Sequence, residues 1–157
     1  MVINEMEITF KALSVNEGFA RACIAAFCVQ ANPSLDELTD IKTAISEAVT
    51  NSVVHAYPKK VGDITIKVEL KDDNSATIQV IDYGIGIKDF KKATEPFFTT
   101  KPEQERSGMG FTVMESFMDS VELSKNENGG LKVTMEKKFA CPVNLAVGGW
   151  CLNMNKL

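Results

Sequence analysis

Met6, Ile8 and Phe10 alternate with Glu7, Thr9 and Lys11, a period of two that predicts a half-buried first strand. From Asn16 the period lengthens. Phe19, Ala20, Cys23, Ile24, Phe27 and Cys28 recur at three- and four-residue spacing, as on one face of an amphipathic helix. Asn32-Pro33-Ser34 interrupts it, and Ser34 followed by Glu37 has the form of a capping box. A second helix then runs through Leu38, Ile41, Ala44, Ile45, Ala48, Val49 and Ser52 to about His55, where Tyr57-Pro58 stops it.

Alternation returns twice, at Ile64, Ile66, Val68 and Leu70 and at Ala76, Ile78 and Val80, with turn residues Asp72-Asp73-Asn74 between them. Residues 88–107 are polar and form a long connection of the kind that makes lids and binding loops, with Pro96 and Pro102 flanking Phe97-Phe98-Thr99-Thr100-Lys101. Phe111, Val113, Met114 and Phe117 restore helical spacing. Val121 and Leu123, then Leu131, Val133 and Met135, close the pattern as a hairpin around Asn128-Gly129-Gly130. The order β-α-α-β-β-lid-α-β-β predicts a two-layer α/β (α+β) sandwich, its sheet mixed or mostly antiparallel and its helices on one face. Residues 1–139 form one domain, and 140–157 a tail with no clear period.

Composition narrows the classes. The chain has 157 residues, 45% hydrophobic and 24% charged, ordinary for one globular domain. Seventeen basic against 21 acidic side chains give a net charge of −4 without a Lys/Arg run, which argues against direct nucleic-acid binding. The cysteines Cys23, Cys28, Cys141 and Cys151 contain no C-x-x-C pair, and His55 is the only histidine, so no zinc site is expected. Cys23 and Cys28 read as reduced core residues. Neither a signal peptide nor an apolar run long enough to span a membrane is seen, so a cytoplasmic location without membrane contact is expected.

Three short patterns carry candidate chemistry. Glu47 and Asn51 stand four apart and share a helix face. The Asn carbonyl is a hard oxygen donor suited to Mg²⁺, and the Glu can take a proton from a hydroxyl or water facing a γ-phosphate. Asp82, at a strand end, can accept from an exocyclic amine such as adenine's, with Gly84 and Gly86 letting backbone approach a flat ring. Gly108-Met109-Gly110 before Phe111 offers free N–H groups at a helix start to phosphates, and Lys101 and Arg106 add positive charge from the lid. Taken singly, each also describes a solvated helix face, a glycine turn or exposed basic residues. Their order is what points to an ATP site, because neither a G-x-x-x-x-G-K-[ST] loop nor a G-x-G-x-x-G after the first strand is present.

In that order the chain resembles the GHKL ATPase superfamily. Ser46 to Asn51 matches its N-box, Asp82-Tyr83-Gly84-Ile85-Gly86 its first glycine box and Gly108-Met109-Gly110 its second. Glu17 to Arg21, Asp36 to Thr43, Pro96 to Glu103 and Arg106 to Phe111 resemble, within that superfamily, the small anti-sigma serine-protein kinases of endospore-forming bacteria, over roughly residues 4 to 138. The resemblance implies a Bergerat-type fold binding ATP and Mg²⁺, and a homodimer that holds a sporulation sigma factor and phosphorylates a serine of an anti-anti-sigma protein. It assigns Glu47 as general base, Asn51 as Mg²⁺ ligand and Asp82, with Gly84 and Gly86, as adenine site. Thr100 and Lys101 fall near the phosphates, Arg106 at the γ-phosphate, and Ser107, Gly108, Met109, Gly110 and Phe111 as backbone donors. Glu17 and Arg21 face the sigma factor. Where the family often carries Gly-Thr in the last hairpin, this chain has Gly130-Leu131, with Thr134 further on. Two other readings stay open: a nucleotide-gated sigma-binding protein with little catalysis, and a stand-alone ATPase. A histidine-kinase domain is disfavoured because no helical region with a phosphoacceptor histidine precedes these elements.

Overall fold

The computed structural model describes residues 1–87 and 110–140. Strand β1 (Val2–Lys11) is followed by helix α1 (Asn16–Cys28) and helix α2 (Leu35–Asn51). Strands β2 (Asp63–Lys71) and β3 (Ser75–Asp82) come next, then helix α3 (Gly110–Phe117) and strands β4 (Ser120–Lys125) and β5 (Leu131–Lys138). The strands make one sheet in the order β1-β2-β3-β5-β4. Every pairing among the described residues is antiparallel, so of the two sheet forms expected, mixed or mostly antiparallel, it is the antiparallel one that holds.

The alternation decides which face is buried. Ile64, Ile66, Val68 and Leu70 of β2, Ala76, Ile78 and Val80 of β3, and Leu131, Val133 and Met135 of β5 all lie at or below 5% exposure. They form one apolar cluster with Ala20, Ile24 and Cys28 of α1, Ile41, Ala44, Ile45, Ala48 and Val49 of α2, and Met114 of α3. Cys28 is wholly buried and its thiol is pushed up to about 12 by desolvation, as expected of an inert core cysteine, whereas Cys23 is only half-buried. The opposite face is polar. Thr9 shares a hydroxyl hydrogen bond of 2.8 Å with Thr65, and Lys67 pairs with Glu7 at 2.9 Å. No helix among the described residues is long and apolar enough to cross a membrane.

Helix α2 matters most because it carries Glu47 and Asn51 on its last turn-and-a-half. Its start is fixed by the expected capping box. Glu37 N donates to Ser34 Oγ at 3.2 Å and Ser34 N to Glu37 Oε2 at 2.7 Å. The same Glu37 carboxylate accepts from Ala140 N at 2.7 Å, and Lys137 Nζ reaches both Asp40 Oδ2 (2.9 Å) and the Phe117 carbonyl (2.7 Å). The end of β5 is thereby tied to the beginning of α2. Replacing Ser34 with alanine should lower stability by about 1 kcal/mol in urea titration; a change within a few tenths would show that the cap does not hold the helix.

At its other end α2 widens. The α-helix stops at Asn51 and the chain continues through a single π-helical turn, Ser52–Ala56. Helical spacing to about His55 was legible in the sequence, but the change of hydrogen-bond pattern was not. π-turns of this kind occur often at functional sites, because the extra residue per turn re-aims the side chains around it.

Candidate functional site

The π-turn delivers Ser52 and the Ala56 carbonyl to the end of β3, where Asp82 lies. Asp82 is 2% exposed, a carboxylate enclosed by backbone. Its Oδ1 accepts from Gly84 N and from Leu131 N, both at 3.1 Å, and Ser52 Oγ approaches Oδ2 at 3.4 Å. Desolvation raises its pKa above the ordinary carboxylate value, and the hydrogen bonds from Leu131, Gly84 and Ser52 offset only part of that. A buried carboxylate so held is oriented by the fold before any ligand arrives.

The glycine turn after Asp82 needs its glycines for identifiable reasons. Ile85 N donates to the Ala56 carbonyl at 3.0 Å, and a Cβ on Gly84 would lie 2.1 Å from that oxygen. Gly86 has φ +67°. From the other side the β4–β5 turn closes in. The Asn126 side-chain amide donates to the Asp82 carbonyl, while its Oδ1 accepts from Asn128 N (2.7 Å) and Gly130 N (3.2 Å).

Glu47, Asn51 and Gly110 meet. A Cβ on Gly110 would lie 3.1 Å from both amide atoms of Asn51 and 3.2 Å from Glu47 Oε2, so glycine at the first residue of α3 lets that helix start against both side chains. Asn51 is buried, and the residue after it is the Ser52 that reaches Asp82. Phe111 follows on α3, partly buried against the core. Thus Glu47, Asn51, Asp82, Gly84 and Gly110, separated by up to 63 positions in the chain (110 − 47), occupy one neighbourhood. Thr100, Lys101, Arg106, Ser107, Gly108 and Met109 lie outside the described residues, as does the expected lid.

Glu17 and Arg21 stand one turn apart on α1, joined at 3.5 Å, with Arg21 exposed and Glu17 also accepting from the Ser46 hydroxyl of α2. Beside them Phe19 is 56% exposed, its ring edge-on to Phe10. Thr134 does not reach the Asp82 neighbourhood. It alternates with the core residues Val133 and Met135 and so belongs to the polar face, whereas Asp82 is in phase with Val80 on the helix side. The hydroxyl beside Asp82 is that of Ser52. Sequence reasoning missed Ser52 and Asn126 as site residues. Ser52 carried a signal, since it directly follows Asn51 and continues the spacing of Ile45, Ala48 and Val49.

This fold, with a buried carboxylate before a glycine turn and a Glu/Asn helix, defines a histidine kinase-like ATPase domain, a domain built to bind ATP; residues 10–137 match that family. The relatives narrow the class. The anti-sigma F factor of Clostridium acetobutylicum is 49% identical over 140 residues, covering 89% of this chain and 97% of the relative. That of Caldanaerobacter subterraneus subsp. tengcongensis is 52% identical over 134 residues, covering 85% and 93%. The chain belongs to the anti-sigma F factor family of kinase-like ATPase domains. Among solved structures it is similar in fold to the RsbU and RsbW domains of a Mycobacterium tuberculosis protein, with TM-score 0.61 and 20% identity, covering 87% of this chain and 32% of that one. It also resembles the histidine kinase domain of a blue-light activated kinase from Erythrobacter litoralis, with TM-score 0.54 and 14% identity over 78% of this chain and 61% of the other.

Proposed function

We propose that residues 1–139 form an ATP- and Mg²⁺-dependent serine-protein kinase that also sequesters a sporulation sigma factor, its kinase substrate being a serine of an anti-anti-sigma protein. The observation that carries this reading is the convergence of Glu47 and Asn51 on Gly110, with Asn51 directly preceding the Ser52 that meets buried Asp82. An adenine amine can donate to Asp82 while the triphosphate runs toward Asn51 and the start of α3.

The donor set fits Mg²⁺. Mg²⁺ usually keeps several waters and takes few protein oxygens, and the Asn51 carbonyl is the one that would hold it. When bound it neutralises charge on the phosphate oxygens. The protein's own part is positional. Asp82 orients the base, and the N–H groups at the start of α3 face the phosphates. Glu47 accepts the proton of the serine hydroxyl as its oxygen bonds to the γ-phosphorus. The bond from that phosphorus to the β–γ bridging oxygen breaks, and ADP leaves. Lys101, Arg106, Gly108 and Met109 are assigned to the phosphate end on their residue chemistry and on family kinship, Thr100 and Ser107 on kinship alone, and the homodimer rests on the same kinship.

The exposed Arg21 and the adjacent Phe19 support a partner surface on α1 that is separate from the nucleotide. Arg21→Glu should weaken sigma-factor binding at least tenfold by surface plasmon resonance while ATP affinity is unchanged; equal loss of both would merge the two sites. The central test is incubation of the protein with Mg²⁺-ATP and an anti-anti-sigma protein, followed by mass spectrometry of the acceptor. Phosphoserine is the expected product. Phosphate released to water with no modified acceptor would instead make the chain a stand-alone ATPase.

A further inference from the structure

Resting on the reading of this site as an ATP pocket, we propose that Tyr57 is a positioning residue for the nucleotide: its hydroxyl fixes the backbone between Asp82 and Gly84, and through it the aim of the Asp82 carboxylate. Tyr57 follows the π-turn directly and is 9% exposed. Its hydroxyl accepts from Tyr83 N at 2.7 Å and donates to the Asp63 carbonyl at 2.5 Å. It therefore bridges the first residue of β2 to the first residue after β3.

Tyr83 is the residue between the carboxylate and one of the N–H groups that hold it, since Gly84 N donates to Asp82 Oδ1. The Tyr83 ring end is fixed on the polar face of the sheet, its hydroxyl donating to Thr65 Oγ1 at 3.0 Å. Its peptide N–H, however, has the Tyr57 hydroxyl as partner. Burial pushes the Tyr57 hydroxyl's pKa up, so it stays protonated and can keep donating to Asp63. The ring rests against Gly62, where a Cβ would come within 2.0 Å of a ring carbon, and Gly62 is in turn held by Ala12 N, which donates to its carbonyl at 2.9 Å. The main chain around the ring is thus shaped to set the hydroxyl under Tyr83 N. Removing the oxygen takes the hydroxyl partner from a partly buried N–H and from the Asp63 carbonyl, and the turn carrying Gly84 N loses one of its anchors.

Tyr57→Phe keeps the ring and deletes only the oxygen. The expected result is an ATP Kd raised about 5- to 20-fold, a reduced preference for ATP over GTP, and turnover at saturating ATP within about twofold of wild type. A tyrosine that merely stabilises the fold would lower Tm and leave the Kd and the base preference unmoved at a temperature well below melting. Ile24→Val, in the core of α1, is the control for lost stability alone. Hydrogen exchange at the Tyr83 amide of the wild-type protein gives a readout independent of whether the variant folds, and slow exchange is expected. Wild-type Kd and base preference in Tyr57→Phe, or fast exchange at the Tyr83 amide, would overturn the role of Tyr57. Failure of the wild-type protein to bind ATP would instead remove the pocket reading beneath it.

Discussion

Replacing Glu47 with alanine should slow transfer of phosphate to the anti-anti-sigma protein by about 100- to 10,000-fold while leaving ATP affinity within a few fold of wild type. The asymmetry follows from the geometry. The atoms that hold Asp82 in place, and those that would meet the base, come from β3, the π-turn and β5, while Glu47 sits a full helical turn before Asn51. Glu47 and Asn51 border Gly110, at the end of the site where we place the phosphates. A base acting on an incoming hydroxyl contributes to the transition state and little to ground-state nucleotide binding, so the loss belongs in the rate. Glu47→Gln retains the shape without the base and should show the same deficit. Single-turnover transfer with nucleotide and acceptor both saturating separates the rate from binding. Wild-type transfer in either variant would exclude Glu47 as base.

Asp82→Asn should weaken ATP about 10- to 150-fold, the range for losing a hydrogen bond to a charged acceptor, and yet make the nucleotide-free protein more stable at neutral pH. The wild-type carboxylate is desolvated, and its folded-state pKa is raised above the unfolded value. The folded chain therefore binds the proton more tightly than the unfolded chain does. Between the unfolded and folded pKa values stability falls as pH rises, and above the folded value the whole penalty of holding a buried anion is in force. Asparagine keeps an oxygen for Gly84 N and Leu131 N and turns its NH₂ toward Ser52, without a charge to bury. Thermal melts of both apo proteins from pH 4 to 8 should diverge in favour of the variant as pH rises, and calorimetry should show the affinity loss. A variant that melts lower at pH 7 and binds ATP normally would refute the assignment.

The elements were legible because they rest on local periodicity. The hairpin of β2 and β3 came from alternation on either side of Asp72-Asp73-Asn74, where Asn74 indeed has φ +61°. The start of α2 came from Ser34 and Glu37, two residues three positions apart that close their own hydrogen bonds. What could not be read depends on pairs distant in sequence. Nothing in Asn126-Glu127-Asn128-Gly129-Gly130 announces more than a hairpin tip, yet Asn126 reaches back 44 positions to the Asp82 carbonyl. Tyr57 looked like a helix stop and proves to be a bridge to a residue 26 positions on. Strand alternation sends Thr134, the threonine that follows Gly130-Leu131, to the polar face. The proposed phosphate end from Thr100 to Met109, read from the basic lid residues, the glycine turn and family likeness, lies outside the described residues.

The bond between Glu37 and Ala140 has a practical use. It secures position 140 beside the opening turn of α2, while Asn51 closes the same helix 14 residues later (51 − 37). At 1.5 Å per residue the two are separated by roughly 20 Å along a rigid rod. A donor dye attached at position 140 would therefore report by energy transfer on a nucleotide bearing an acceptor, without touching the pocket that it watches.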